Sequence, residues 1–135
     1  MKQEEIELLI KDLCARLPYE LYGLHRNKIE KLQLIDSFGS YQIESYSAWF
    51  NLDSVEFKPY LRLMSNMTGK EMYEYEKLVG NHSDITEYIY VDRYDSVQDC
   101  LYEYVDWLHE HHFDYRGLIE KGLALEAPEN MYKFE

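Results

Sequence analysis

The sequence has none of the long apolar runs, and few of the cysteines, that characterise several large classes of protein. Its purely apolar runs are only a few residues long, whereas a membrane-spanning helix needs about 20, so we expect no association with a membrane. The first residues are acidic where a secretory signal is basic and then apolar, so we expect no export. Cys14 and Cys100 fall on patterns typical of buried helix faces, which favours free thiols over a disulfide. Together these features predict a cytoplasmic protein.

The sequence also lacks the short motifs that most often mark an active site. It contains no Gly-x-Ser-x-Gly, no His-Glu-x-x-His and no Cys-x-x-Cys, and its six glycines form no phosphate-binding loop. We therefore expect no cofactor. The missing motifs argue against an enzyme, which stays the second hypothesis.

What the sequence does contain is enough apolar material for one core. Its 135 residues are 46% hydrophobic, which excludes wholesale disorder and predicts a single domain over residues 1–135. Apolar residues recur at helical spacing from Ile6 to Leu17, so a first helix is predicted over residues 3–17. Thr68 and Glu71 fit a capping box at the start of a second helix.

Further helices and strands complete the predicted fold. A long helix is predicted from Ser96 and a short one after Asp114. Short strands are predicted at 20–25, 29–36, 40–46 and 47–51, with another at 85–91. Connections this short favour antiparallel neighbours. The sequence therefore predicts an α+β fold, in which a small antiparallel β meander of about four or five strands packs with an N-terminal helix and C-terminal helices.

Four potential metal ligands lie close together near the C-terminus: His109, His111, His112 and Asp114. Imidazole and carboxylate groups suit zinc and other divalent metals. Among the histidines, only His109 and His112 have a spacing that places two ligands on one helix face. We prefer the interpretation that these histidines lie at a helix C-terminus, where positive charge is favourable. A small metal-binding protein or enzyme using this region is the alternative.

Tyrosine is unusually frequent, with 14 residues in the chain. The candidates for an interaction surface all fall in the acidic half: Tyr73, Tyr75, Tyr88, Tyr90, Tyr94 and Tyr102. Tyrosine buries a large area at a low entropy cost and still forms hydrogen bonds, which suits interfaces. These six residues therefore either line the edge of the core or form a protein-binding face.

The net charge of −12 is unevenly distributed along the chain. Residues 1–66 carry a net charge of −2, whereas residues 92–135 carry eleven acidic and four basic side chains, a net of −7. An acidic surface repels phosphate backbones, so we expect no direct binding to nucleic acid. The same acidity could compete with DNA for a basic cleft, which makes an acidic DNA-mimic inhibitor of a nucleic-acid-binding protein a further alternative.

Three separated parts of the chain resemble one protein family. They are Asp12–Tyr19, Lys58–Arg62 with Met64–Thr68 and, as the longest and most specific, Trp107–Pro128. In these parts the chain resembles a family of short uncharacterised proteins from gut bacteria and their phages or mobile elements. The resemblance implies a bacterial or phage setting and an accessory role, and it implies no particular activity.

The sequence as a whole favours a non-enzymatic accessory or regulatory protein. Its expected partner is another protein, bound through the acidic, tyrosine-rich surface. A homo-oligomer built on an exposed tyrosine face is the remaining possibility for its assembly.

Overall fold

The N-terminal helix sets one side of the core. The computed structural model describes residues 2–80 and 104–132, and the first helix, α1 (Gln3–Arg16), lies within one residue of its predicted limits. The backbone N–H of Lys2 donates to Glu5 Oε1 at 3.0 Å, which satisfies one of the free donors at the start of the helix. Pro18 cannot continue the α-helical hydrogen bonds, and a 3₁₀ turn (Leu17–Tyr19) follows.

Among the described residues, six strands form one sheet. In chain order they are β1 (Tyr22–His25), β2 (Lys28–Ile35), β3 (Ser40–Ile43), β4 (Tyr46–Asn51), β5 (Phe57–Leu61) and β6 (Leu125–Glu126). Their spatial order is β4-β3-β2-β1-β5-β6, and only the β5–β6 pair is parallel. The predicted meander is confirmed as β1–β4, and the α+β class with it. Strand β6 is not predicted from the sequence, because two residues are too few to show an alternating pattern.

Two more helices follow the sheet in the described residues. The helix α2 (Gly69–Gly80) begins at the predicted capping box. The backbone N–H of Thr68 donates to Glu71 Oε1 at 3.0 Å, and that of Glu71 donates to Thr68 Oγ1 at 3.2 Å. Residues 104–110 form α3, which confirms the described part of the helix predicted from Ser96.

The short helix predicted after Asp114 is wrong. Residues 118–122 form turns instead, and the Asp114 carboxylate accepts hydrogen bonds from the backbone N–H groups of Leu118 (2.8 Å) and Ile119 (2.9 Å). Gly117 adopts a φ of 73°, a left-handed conformation that interrupts a helix just before this point. The aspartate therefore caps a turn that does not continue.

The main core lies between α1 and one face of the sheet. Leu9 and Leu13 of α1 belong to the same buried cluster as Leu32 of β2 and Tyr41 of β3, and these four residues are at most 2% exposed. A second cluster, around Trp107 of α3 and the residues that follow it, packs against α2 and the segment before it. The two clusters join the N-terminal and C-terminal parts of the chain.

Cys14 is exposed, so its predicted place on a buried helix face is wrong. The buried residues of α1 are Ile6, Leu9, Asp12, Leu13 and Arg16. Because a buried aspartate and a buried arginine extend the apolar stripe on one side, the helix is turned so that the thiol lies outside it. The other cysteine, Cys100, lies outside the described residues, as do the strand predicted at 85–91 and the first part of the helix predicted from Ser96.

Within residues 2–80 and 104–132, no helix is both long and apolar enough to cross a bilayer.

Gly23 of β1 is required by close packing, and we predict that Gly23→Ala destabilises the protein by about 1–3 kcal/mol. A Cβ atom at this position would lie 2.3 Å from Phe57 Cζ and 2.9 Å from the carbonyl oxygen of Lys58. The phenyl ring is itself fully buried and has little room to move. Gly69→Ala is the matched control, because its Cβ would meet nothing within 4 Å. Urea unfolding of the two variants checks this, and equal stabilities would contradict the packing argument.

Candidate functional site

The three histidines predicted as metal ligands contact three different partners. His109 Nε2 lies 2.6 Å from Tyr115 Oη, His111 Nδ1 lies 2.9 Å from the Trp107 carbonyl oxygen, and His112 Nε2 lies 2.7 Å from that of Tyr19. Asp114, the fourth candidate, caps the turn described above. Within residues 2–80 and 104–132, no group of three or more His, Cys, Asp or Glu side chains is placed to hold a metal ion. The structure therefore gives these four residues contacts that hold the fold together.

The predicted tyrosine surface is only partly within the described residues. Tyr73 lies on α2 and is 69% exposed. Tyr75 is half-buried, with its ring centroid 5.7 Å from that of Trp107 and 6.3 Å from that of Tyr104. The other four, Tyr88, Tyr90, Tyr94 and Tyr102, lie outside the described residues. A tyrosine surface in the acidic half thus stays a prediction, with one exposed and one packed member described.

A buried ionic cluster, which we call the Asp12 cluster, connects α1 to the C-terminal segment. It consists of Asp12, Arg16 and Arg116. Asp12 Oδ2 accepts from Arg16 Nε at 2.8 Å and Asp12 Oδ1 from Arg116 Nε at 3.0 Å, and the Asp12 and Arg16 side chains are fully buried. Arg16 Nη2 also donates to the Phe113 carbonyl oxygen at 2.6 Å. The sequence signal was the four-residue spacing of Asp12 and Arg16 within the apolar stripe of α1.

His112 and His109 are neutral at physiological pH because they are buried. Burial lowers the pKa of each histidine to about 4. The carbonyl oxygen of Tyr19 can only accept, so His112 Nε2 carries the proton and Nδ1 is an acceptor. His112 Nδ1 and Arg16 Nη1 are both buried and have no hydrogen-bond partner among the described residues. His112 also has a φ of 57°, which is uncommon outside glycine and is held here by its surroundings.

A polar cleft of about 740 Å³ lies beside this region, between the start of α2 with the segment before it, His111 and the C-terminal segment. Arg62 lines this cleft, and its Nη1 and Nη2 atoms donate hydrogen bonds to Glu71 Oε2 and Oε1 at 2.7 and 2.6 Å. The guanidinium carbon lies 4.2 Å from the centroid of the Phe113 ring. Burial alone would raise the pKa of Glu71, but hydrogen bonds from Arg62 and Thr68 outweigh it and hold that pKa below its usual range. This part of the cleft is a structural ion pair that fixes the start of α2.

Three separated parts of the chain, Asp12–Tyr19, Lys58–Thr68 and Trp107–Pro128, meet around this cleft and the Asp12 cluster. Arg62 N–H donates to the His112 carbonyl oxygen at 2.8 Å, and Asp114 N–H donates to that of Arg62 at 2.8 Å. His112 reaches the Tyr19 carbonyl, and Arg16 reaches that of Phe113. Residues far apart in the sequence therefore build one structural unit, whose contacts are mostly to backbone atoms.

A different surface carries the exposed aromatic residues. Strand β4 lies at one end of the sheet, and no described strand pairs with its outer edge. All six of its residues are uncharged, and none is proline. Tyr46 is 62% exposed and Trp49 is 54% exposed, although both are large hydrophobic side chains. We call this strand with its two exposed aromatic residues the β4 edge.

The two aromatic residues of the β4 edge point to opposite faces of the sheet. Phe50 packs on the core side, with its ring centroid 4.5 Å from that of His25 and 6.1 Å from that of Tyr46. Because successive strand residues alternate, Trp49 projects from the outer face. Leu34 of β2, which is also exposed, shares that outer face. The edge is therefore flanked by apolar surface on both sides.

The described residues form an α+β fold with an uncharged sheet edge that no described strand covers, and a polar cleft whose wall includes a structural ion pair. Compared with known proteins, the chain matches no family model, no curated protein and no solved structure. Its function is therefore argued from the surfaces themselves.

Proposed function

We propose that this protein is a non-enzymatic accessory module of the cytoplasm that binds another protein through the β4 edge. The observation that supports the proposal is a six-residue, charge-free edge strand with two exposed aromatic side chains. An edge strand presents unpaired backbone N–H and C=O groups, which can pair with an extended segment of a partner.

Proteins that do not use an edge usually protect it. Common protections are charged side chains, proline and very short strands. The edge at the opposite end of the sheet, β6, has only two residues and includes Glu126. Strand β4 is six residues long and has no charged residue and no proline, although its pairing with β3 shifts register within the strand. Its aromatic residues are of the type enriched in the cores of protein interfaces. The contrast between the two edges favours β4 as a surface kept open for binding.

The proposed surface differs in position from the one expected from the sequence. The β4 edge belongs to the nearly neutral first half of the chain, whereas the acidic residues concentrate after residue 92. The acidic half then has the role of keeping the protein soluble, since a net charge far from zero opposes self-aggregation. A metal site or a DNA mimic would instead need the histidines or the acidic residues, and the described contacts of the histidines are structural.

The test uses two exposed tyrosines as a matched pair. A photoreactive phenylalanine analogue replaces Tyr46 in one variant and Tyr73 in the other, and the cells that express each variant are irradiated. Both positions are exposed by similar fractions, 62% and 69%. We expect covalent adducts to protein from position 46, and we expect Trp49→Glu in the same chain to abolish them because a charge then lies in the interface.

The alternative surfaces give different results. Adducts from position 73 alone would show that the acidic tyrosine face is the binding surface and that the β4 edge is not. Adducts from neither position would contradict a protein-binding role for either one.

A further inference from the structure

We propose that the segment that pairs with the β4 edge is β4 of a second copy of this chain, in a symmetric dimer. The inference rests on the proposed function, because it names the partner of the same surface. The two strands would run antiparallel about a two-fold axis at Ala48, and the two sheets would join into one of twelve strands.

The side chains of β4 suit this register. With Ala48 opposite itself, Tyr46 of each copy lies opposite Phe50 of the other, and Trp49 lies opposite Ser47. Opposed aromatic residues are favourable cross-strand pairs. The small serine leaves room for the exposed indole on the outer face. Five of the six residues of the strand thus have a compatible neighbour within β4, and Asn51 lies opposite Ser45, just before the strand.

No charge on the strand itself opposes this pairing, although the net charge of −12 on each copy weakens it at low ionic strength. The nearest preceding acidic residue, Glu44, is paired with Lys31, with 3.3 Å between Nζ and Oε2, and the same lysine also pairs with Glu20. In the proposed register Glu44 lies opposite Leu52, and Asp53 lies opposite Ile43, so no two carboxylates face each other. The acidic part of the chain lies elsewhere in the sequence.

The symmetry favours a closed dimer over a chain of molecules. A strand that pairs with itself about a two-fold axis uses up the same edge on both copies. The remaining edge, β6, is two residues long and carries Glu126. The contact area is small, because one six-residue strand and two aromatic side chains per copy reach at most the low end of specific interfaces, about 1,200 Å² in total. We therefore expect dissociation in the micromolar range.

The test is sedimentation equilibrium over micromolar to millimolar concentrations with a matched pair of double variants. The wild-type chain is expected to approach twice the monomer mass. Ser47→Glu/Trp49→Glu places like charges opposite each other twice, and we expect its dissociation constant to rise by roughly tenfold or more. Ser47→Lys/Trp49→Glu loses the same tryptophan but places the new lysine of each copy opposite the new glutamate of the other, so we expect it to dimerise more tightly than the first variant.

Each outcome has a definite meaning. Both positions are exposed, so urea unfolding is expected to show that the two variants fold with equal stability. A wild-type chain that stays monomeric at millimolar concentration overturns the dimer, as does the absence of any difference between the two variants. If the wild type is monomeric but position 46 still forms adducts with a different protein in cells, the proposed function stands and only this inference fails. If position 46 formed cross-links only within its own molecule, both the dimer and the proposed function would be overturned.

Discussion

Replacing Asp12 with alanine is expected to lower the free energy of unfolding by about 3–5 kcal/mol. The Asp12 carboxylate is fully buried and accepts hydrogen bonds from Arg16 Nε and Arg116 Nε. Without it, the guanidinium of Arg16 would remain buried with no counter-ion, and an uncompensated charge is very costly in a medium of low polarity. Urea unfolding at neutral pH, followed by circular dichroism, measures the loss.

Two further variants separate the buried charge from other effects of changing α1. Glu7→Ala removes an exposed carboxylate from the same helix, and we expect a change within about 0.5 kcal/mol. Asp12→Leu/Arg16→Met removes both charges and fills their volume, so most of the lost stability should return. Arg116 keeps access to water in that variant, since 16% of its side chain is exposed. A loss for Asp12→Ala no larger than that for Glu7→Ala would contradict the interpretation.

The same cluster shows where the sequence could and could not predict this fold. The helix α1 is correct because its apolar residues repeat at helical spacing, and the start of α2 is correct because the Thr68–Glu71 capping box is a local signal. The burial of Asp12 and Arg16 is not local. It depends on Arg116 and on the Phe113 carbonyl, about 100 residues away in the chain, and charged residues are by default expected at the surface.

The candidate binding surface, the β4 edge, is also only partly predictable from the sequence. Tyr46 and Trp49 are residue types expected in a strand core, and the sequence places β4 correctly. Their exposure follows from the position of β4 at the end of the sheet and from the irregular pairing between β3 and β4. Neither strand order nor a register shift can be derived from one sequence. The aromatic excess therefore predicts a protein-binding surface, whereas the exposure of the β4 aromatic residues is visible only in the structure.

Lowering the pH from 7.5 to 5 is expected to destabilise the protein by about 2 kcal/mol for each of His109 and His112. Burial lowers the pKa of both to about 4, against 6.5 in an unfolded chain. Between these values the unfolded state binds protons that the folded state does not, so stability falls as the pH falls. Arg16 and Arg62 beside His112 act in the same direction, and only Asp12 and the Tyr19 carbonyl oppose them.

Glu71 does not produce the same change in this range. The pKa of Glu71 is below its usual value, so its contribution to stability is present above about 4.5 and is lost only at lower pH. Burial also lowers the pKa of His25, which adds to the histidine effect with the same sign. The loss of stability between pH 7.5 and 5 is therefore assigned to buried histidines.

The variant His109→Gln/His112→Asn tests this assignment. Asparagine tolerates the left-handed backbone of position 112 better than most residues do, and glutamine at position 109 can still form a hydrogen bond with Tyr115. The variant is less stable at pH 7.5, because two packed rings are lost, but its stability should change by about 4 kcal/mol less between pH 7.5 and 5 than that of the wild type. Urea unfolding of both proteins at the two pH values gives this difference directly. Equal pH dependence in the two proteins would mean that His109 and His112 can be protonated in the folded state. The interior around His112 would then be more accessible to water than its contacts indicate.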